Sequence, residues 1–243
     1  MKTLPSHETF TAGRISTIVP AHNYARFLPE TLDSVLGQAV PDLEVIVVDD
    51  ASTDETAAVV AGYGDRVRYL RQPVQQGSGA AVNRGMAMAT GEFLTFVDAD
   101  DCWAEGKLRR QLAELADESL DAVFGLAQEF LSPELSAADR DRVRLRRMPA
   151  SIAGAMMIRR SACLRVGGFA EGVVLGEFLD WYARALDQRL AFRMLDEVVL
   201  FRRIHAGNLG RRVPSARQDY ARVLKQSLDR RRAAANAQSV VES

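Results

Sequence analysis

Cysteine is scarce in this chain of 243 residues. Cys102 and Cys163 lie far apart in sequence and form no metal-ligand spacing, a usage that suits a reducing compartment. Long apolar runs are missing as well. No stretch approaches the roughly 20 apolar residues that a membrane-spanning helix needs. The opening MKTLPSHETFTAGR lacks the apolar segment of a signal peptide, so a soluble, cytoplasmic protein is expected. Excess charge of either sign is absent: the net charge is −1, which argues against a nucleic-acid partner held by bulk electrostatics. There is no internal repeat and no low-complexity tract. Neither a GxxxxGK[ST] phosphate loop nor a clean GxGxxG fingerprint occurs, and a sugar nucleotidyltransferase would carry a glycine-rich loop after its first strand.

What is present is alternation. Hydrophobic residues make up 47% of the chain, enough for one large α/β domain with its own core. RISTIVPA and DLEVIVVDD read as buried parallel strands. Between them, FLPETLDSVLGQ sets Leu28, Leu32, Val35 and Leu36 on one helical face, with Pro29 in the first turn. ASTDETAAVVAGY predicts a helix that opens on a capping box of Ser52 and Glu55. RVRYLRQ is a third strand, GSGAAVNRGMAMATG a helix entered through glycines, EFLTFVD a fourth strand, and EGKLRRQLAELAD a helix with Leu108, Leu112 and Leu115 on one face. A β-α-β-α-β-α-β-α order predicts a parallel sheet with helices on both faces and a ligand site at the carboxyl ends of the strands.

The second half is less regular. DAVFGLAQEF reads as a strand, and the charged segment 131–149 as a mobile excursion outside the core. SIAGAMMIRRSACLRVGGF gives a strand and a short helix ended by Gly167 and Gly168. In the helix GEFLDWYARALDQ, one face carries Glu177, Asp180, Trp181 and Arg184; the other, with Leu179, Tyr182 and Leu186, is the expected core face. LAFRML and EVVLFRR read as two strands. From Arg211 onward the chain is arginine-rich, with weak helical periodicity.

Several constellations could carry chemistry. Asp49 and Asp50 end a strand, where they either cap a helix or accept hydrogen bonds from a nucleotide. QGSGAAVNRG is a glycine-rich helix entry that could hold phosphate oxygens or simply turn the chain; within it Arg84 could pair with a diphosphate. VDADD is more specific. Asp98, Asp100 and Asp101 follow a buried strand at once, a costly arrangement unless a cation compensates it. Hard oxygen ligands of this kind suit Mg²⁺ or Mn²⁺ shared with a substrate diphosphate. His205 and Asn208 follow a predicted strand, where a lone histidine is more often structural.

Taken together, STIVPAHNYARFLPETLDSVLGQAVPDLEVIVVDDASTDET, QGSGAAVNRGMAMATGEFLTFVDADDCWAEGKL and AMMIRRSACLRVGGFAEGVVLGEFLDWYARAL resemble the family-2 glycosyltransferases. These are inverting enzymes of the GT-A fold that use nucleotide sugars. The resemblance implies an α/β, Rossmann-like, mostly parallel sheet flanked by helices, with a smaller mixed acceptor-side half. It places an N-terminal tail at 1–13, a single domain at 14–210 divided near 117 into nucleotide-binding and acceptor halves, and a C-terminal helical tail at 211–243. It implies that Pro20, Ala21 and Asn23 meet the nucleoside, that Asp50, with Asp49 beside it, reads the base, and that Asn83 and Arg84 lie near the diphosphate. Asp98, Ala99 and Asp100 match the family's DxD motif, whose first acid approaches the ribose and whose last holds Mn²⁺ or Mg²⁺, with His205 near the metal. One departure stands out. Where the family carries a Glu-Asp pair whose Asp is the general base, this chain has Glu177 followed by Phe178. Glu177 or Asp180 could substitute, with Trp181 stacking on a sugar or packing. The expectation is a soluble, non-processive, inverting transferase moving a sugar, UDP-linked by preference, to an unidentified hydroxyl acceptor (glycan, lipid-linked, peptide or small molecule). The alternative is a catalytically silent nucleotide-sugar binder.

Overall fold

The structure is a computed structural model that describes residues 10–173 and 176–208, together with Lys225 and Asp229. The expected C-terminal helical tail at 211–243 therefore lies outside the described residues, apart from those two positions.

Four parallel strands build the first half: β1 (Thr11–Ala21), β2 (Leu43–Asp49), β3 (Arg68–Arg71) and β4 (Gly91–Phe96). They lie in the order β3-β2-β1-β4, joined by α1 (Leu28–Leu36), α2 (Thr56–Ala61) and α3 (Ser78–Met88). The pairing of Val19 with Val47 and of Ile18 with Phe96 brings the carboxyl ends of β1, β2 and β4 to one edge, where the helices begin. Leu28, Leu32 and Val35 of α1 are fully buried as their spacing predicts. The tail boundary needs correction. Thr11 already donates to the Thr90 carbonyl at 2.8 Å and Gly13 to the Glu92 carboxylate at 2.8 Å, so β1 starts inside the segment expected to be a tail.

The capping box also fails to form. The α2 helix starts at Thr56, whose N–H donates to Asp54 Oδ1 at 3.0 Å. Ser52 instead gives its N–H to Asp49 and accepts the Asn23 N–H with its hydroxyl. Ser52 is drawn into the loop because Ala51 before it takes a left-handed φ of 59°.

The second half extends the sheet with β5 (Cys102–Trp103), α4 (Lys107–Glu114), β6 (Ala122–Leu131), α5 (Ala137–Arg142), β7 (Arg147–Ala150), β8 (Met157–Arg159), α6 (Arg160–Val166), α7 (Glu177–Asp187) and β9 (Phe192–Ile204). The full order is β3-β2-β1-β4-β8-β6-β9-β5, with β7 on β6. Segment 131–149, expected to be an excursion, contains α5, where Ser136 Oγ accepts the Asp139 N–H, and part of β7. The two expected terminal strands are one. β9 runs through Asp196 and Glu197 because register shifts against β6 absorb the polar interruption.

The α7 helix reverses the expected core face. Trp181 and Ala185 are fully buried, whereas Leu186 is 43% exposed. Trp181 lies 5.7 Å from both Phe169 and Phe178 in near-parallel stacks, and its indole N–H donates to the Gly167 carbonyl at 3.0 Å. That partner is what lets an indole sit in a core. No helix among the described residues is long and apolar enough to cross a membrane.

Under α4, Lys107 is fully buried. Its ammonium donates to Thr95 Oγ1 at 3.0 Å and Gln111 Oε1 at 2.8 Å, and lies 4.1 Å from the Trp103 ring centre. With no carboxylate partner among the described residues, desolvation holds its pKa well below 10.5. The native state then binds fewer protons than the unfolded chain between that lowered pKa and 10.5, so Lys107 makes stability rise with pH across that window. Urea unfolding over this range should show the rise in the wild type, and a Lys107→Met variant should lack it.

Candidate active site

The carboxyl edge opens into a cleft of about 1030 Å³, lined by residues 20–23 after β1, Asp50, residues 75–78, Asp98–Asp101, Glu177, Arg202 and residues 205–208. At one end Asp50 is buried, and its carboxylate accepts the Gln72 side-chain amide and the backbone N–H groups of Gln76 and Gly77, each at 2.7 Å. Its carbonyl accepts His22 Nδ1–H at 2.6 Å, which leaves His22 Nε2 to accept from the Asn23 amide. Asn23 has φ 59° and takes the Thr53 N–H on Oδ1 at 2.7 Å, so it staples the β1 and β2 loops together while lining the cleft. Pro20 and Ala21 also line it.

Asp49 does not line the cleft. It turns to Tyr69, Arg71 and the Ser52 N–H. Burial raises its pKa, but these partners outweigh burial and hold the carboxyl below its ordinary value. One acid of the pair therefore faces the ligand space and the other locks the loop, as alternation along an extended chain dictates.

The acid turn after β4 is the densest charge in the cleft. Carboxylate oxygens of Asp98, Asp100 and Asp101 come within 4.8 Å of one another. Asp98 keeps an exposed edge, yet its recessed setting, then Asp100 and Glu177, push its carboxyl up, against the pull of Arg202. Asp101 is raised well above its ordinary value by burial and by its two neighbours. Arg203 holds the turn from beneath. Its backbone N–H donates to Asp101 Oδ1 and its guanidinium to the Asp100 carbonyl, each at 2.8 Å. The same guanidinium reaches Glu30 and lies over Phe27 and Phe130.

His205 Nε2 lies 2.9 Å from Asp100 Oδ2, and the Gly207 N–H donates to Nδ1. These partners assign the proton to Nε2. His205 thus holds Asp100 as a hydrogen-bond donor and lines the cleft beside the acid turn. Hard oxygen donors this close together fit a divalent cation.

Glu177, also in the cleft lining, opens α7 after Gly176, which has φ 95°. Burial raises its pKa, partly offset by hydrogen bonds from backbone groups and from Ser78. Gly79 makes that contact possible: a Cβ there would meet the Ala170 carbonyl oxygen at 2.1 Å, so only glycine lets the first turn of α3 lie against this loop.

Other candidates fall outside the cleft lining. Asp180 pairs with Arg184 at 2.9 Å, and Arg184 is anchored on the Val166 and Gly168 carbonyls. Asn83 binds Phe169 and Glu171. Arg84 is exposed and does not line the cleft, and Trp181 belongs to the core. The sequence reading missed His22, Gln76 and Arg202. Arg202 had a usable signal, since it precedes Arg203 on the strand that delivers His205.

Three comparisons bear on this geometry. The model of glycosyl transferase family 2 matches residues 16–169. An uncharacterized glycosyltransferase of Nostoc sp. is 42% identical over 100 residues, covering 40% of this chain and 31% of its own length. A GalNAc(5)-diNAcBac-PP-undecaprenol beta-1,3-glucosyltransferase of Campylobacter jejuni is 40% identical over 116 residues, 46% of this chain and 37% of its own. The matches thus span about a third of these relatives' length. Among solved structures, S. aureus TarS 1–349 with UDP-GlcNAc superposes with a TM-score of 0.71 at 20% identity, covering 88% of this chain and 65% of that one. A mannosyltransferase of Pyrobaculum calidifontis with GDP-Man and Mn²⁺ gives 0.64 at 23% identity, covering 81% and 58%. At such identities the likeness is one of fold, and that fold is GT-A.

Phe178, expected from the resemblance to stand at the base position, is packed among Phe169, Trp181 and Tyr182 at ring distances of 5.7–6.1 Å. Phe178 is half-buried, and a carboxylate there would lose these ring contacts and part of its own hydration. Phe178→Asp should therefore lower the unfolding free energy by about 1–3 kcal/mol. Denaturant titration reads the loss, and turnover of the folded fraction should not rise.

Proposed function

The chain belongs to glycosyl transferase family 2, and from that premise we propose that it transfers a sugar, with inversion, from a nucleoside-diphosphate donor to an acceptor hydroxyl. One observation carries the reading: the acid turn Asp98–Asp101 and Glu177 line the same cleft, near enough for Glu177 to act on the Asp98 charge. The nucleoside would occupy the end built by Pro20, Ala21, His22 and Asp50. UDP is the preferred nucleotide, in keeping with the UDP-GlcNAc bound to TarS, whose fold this chain shares. Mn²⁺ or Mg²⁺ held by Asp98 and Asp100 would supply positive charge to the donor phosphates.

In this reading Glu177 is the general base. As the acceptor oxygen bonds to the anomeric carbon, its proton passes to the Glu177 carboxylate, and the bond from the anomeric carbon to the diphosphate breaks, leaving its electron pair on the diphosphate. A raised pKa makes Glu177 a stronger base than an ordinary carboxylate. Asp180 is the weaker candidate, being paired with Arg184 outside the cleft lining. Phe178 in place of the usual base favours a second reading, a nucleotide-sugar binder without transfer. Glu177 separates the two.

Glu177→Gln should cost about 10²–10⁴-fold in turnover and leave nucleotide affinity nearly unchanged. Because the base must be ionised, the rate should fall as pH drops through the raised pKa of Glu177, above the ordinary 4.5. That acid limb should vanish in the variant. If the wild type binds nucleotide sugars but releases no diphosphate against any acceptor, the binder reading holds instead. For the metal, calorimetry should show UDP binding that weakens with chelator and in Asp100→Ala. Equal affinity in all three conditions would remove the metal from the account.

A further inference from the structure

Arg202 is the cleft residue that neither the fold nor the reaction above employs. It lines the cleft from β9, with its side chain 44% exposed. Its guanidinium lies near enough to Asp98 and Asp101 to oppose the rise of both carboxyls. Its one ion-pair partner among the described residues is Glu129, at 3.8 Å, beyond hydrogen-bonding range.

That distance has a cause. Glu129 is 3% exposed and already saturated by Arg146, which reaches it through Nη2 at 2.8 Å and through Nε and the backbone N–H at 3.2 Å. Glu129 therefore sets the place of Arg202 without consuming its donors. The other arginines nearby are occupied: Arg203 is buried under the acid turn, and Arg26 pairs with Glu134 at 3.0 Å. Arg84, the residue expected to meet a diphosphate, is outside the cleft lining. A cleft guanidinium with five N–H donors and no hydrogen bond among the described residues is prepared for a bidentate anion.

We propose that Arg202 is a substrate-binding residue whose guanidinium meets the diphosphate of the donor, in the role the sequence suggested for Arg84. Its action on Asp98 and Asp101 places it near the acid turn that, in the proposed reading, meets the donor phosphates. Glu129 and Arg146 act as positioning residues. Arg146 keeps Glu129 occupied, and so keeps Arg202 available.

This inference rests on the nucleoside-diphosphate reading, and the test separates the two. Calorimetry with Mn²⁺ present would measure UDP and GDP, and uridine and guanosine as nucleoside controls, on wild type, Arg202→Gln, Arg202→Lys and Arg146→Gln. Arg202→Gln should weaken the preferred diphosphate by about tenfold or more and leave its nucleoside unchanged, which also reports that the variant is folded. Arg202→Lys should fall between, because an ammonium keeps the charge and loses the fork. Arg146→Gln should also weaken the diphosphate, as Glu129 then captures Arg202. If Arg202→Gln binds the diphosphate as tightly as wild type, or loses nucleoside affinity equally, the assignment is wrong while the functional reading stands. If the wild type binds neither UDP nor GDP, both fall.

Discussion

Three carboxylates at the end of β4 repel one another, and the fold can hold them only if something else positions the turn that carries them. Arg203 does so. It arrives from the far end of β9, more than a hundred residues later in the chain, and binds the turn through its backbone N–H and its guanidinium. The same side chain ties in α1 through Glu30 and is sandwiched by Phe27 and Phe130. A buried arginine is tolerable when hydrogen bonds and aromatic faces replace its water, and here Nε, Nη2 and the two rings do so. The acid cluster thus makes β9 necessary: the second half of the chain supports the charge that the first half presents.

From this constraint the division of labour among neighbours follows. Asp49 and Asp50 are consecutive, yet one is turned to Tyr69 and Arg71 and the other into the cleft. Arg202 and Arg203 repeat the pattern on β9, with one in the cleft and one beneath it. In an extended chain, neighbouring side chains leave on opposite sides. A doubled residue at a strand end therefore supplies one group for the ligand and one for the scaffold at no cost in length.

Legibility in the sequence tracked locality. Order and register in the first half rest on short, continuous apolar strands and one-face helices, and these were readable from periodicity alone. The acid turn was readable because three acids after a buried strand have few bland explanations. The second half was harder, since its decisive contacts join distant segments. Nothing in DEVVLF announces that register shifts will carry one strand through Asp196 and Glu197, and nothing in the α7 repeat says which stripe faces the core. Trp181 settled that question through Phe169 and the Gly167 carbonyl, partners that no spacing rule connects to it. Asn83 was misplaced for the same reason, its bonds going to Phe169 and Glu171.

The orientation of α7 also explains why one departure from the family pattern does not stand alone. With Trp181 in the core, Phe178 falls into the same aromatic stack, and Asp180 is drawn to an arginine that is itself fixed on the Val166 and Gly168 carbonyls. Glu177, at the first position of the helix, is the acid of α7 that lines the cleft. Its place depends on Gly176 at φ 95° and on Gly79, which lets Ser78 come close enough to hydrogen-bond it. Phe178, expected at the base position, and the glycines around Glu177 are thus parts of one local arrangement. A substitution that restores the family pattern at 178 alone meets a packed ring, while the carboxylate that lines the cleft stays one residue earlier.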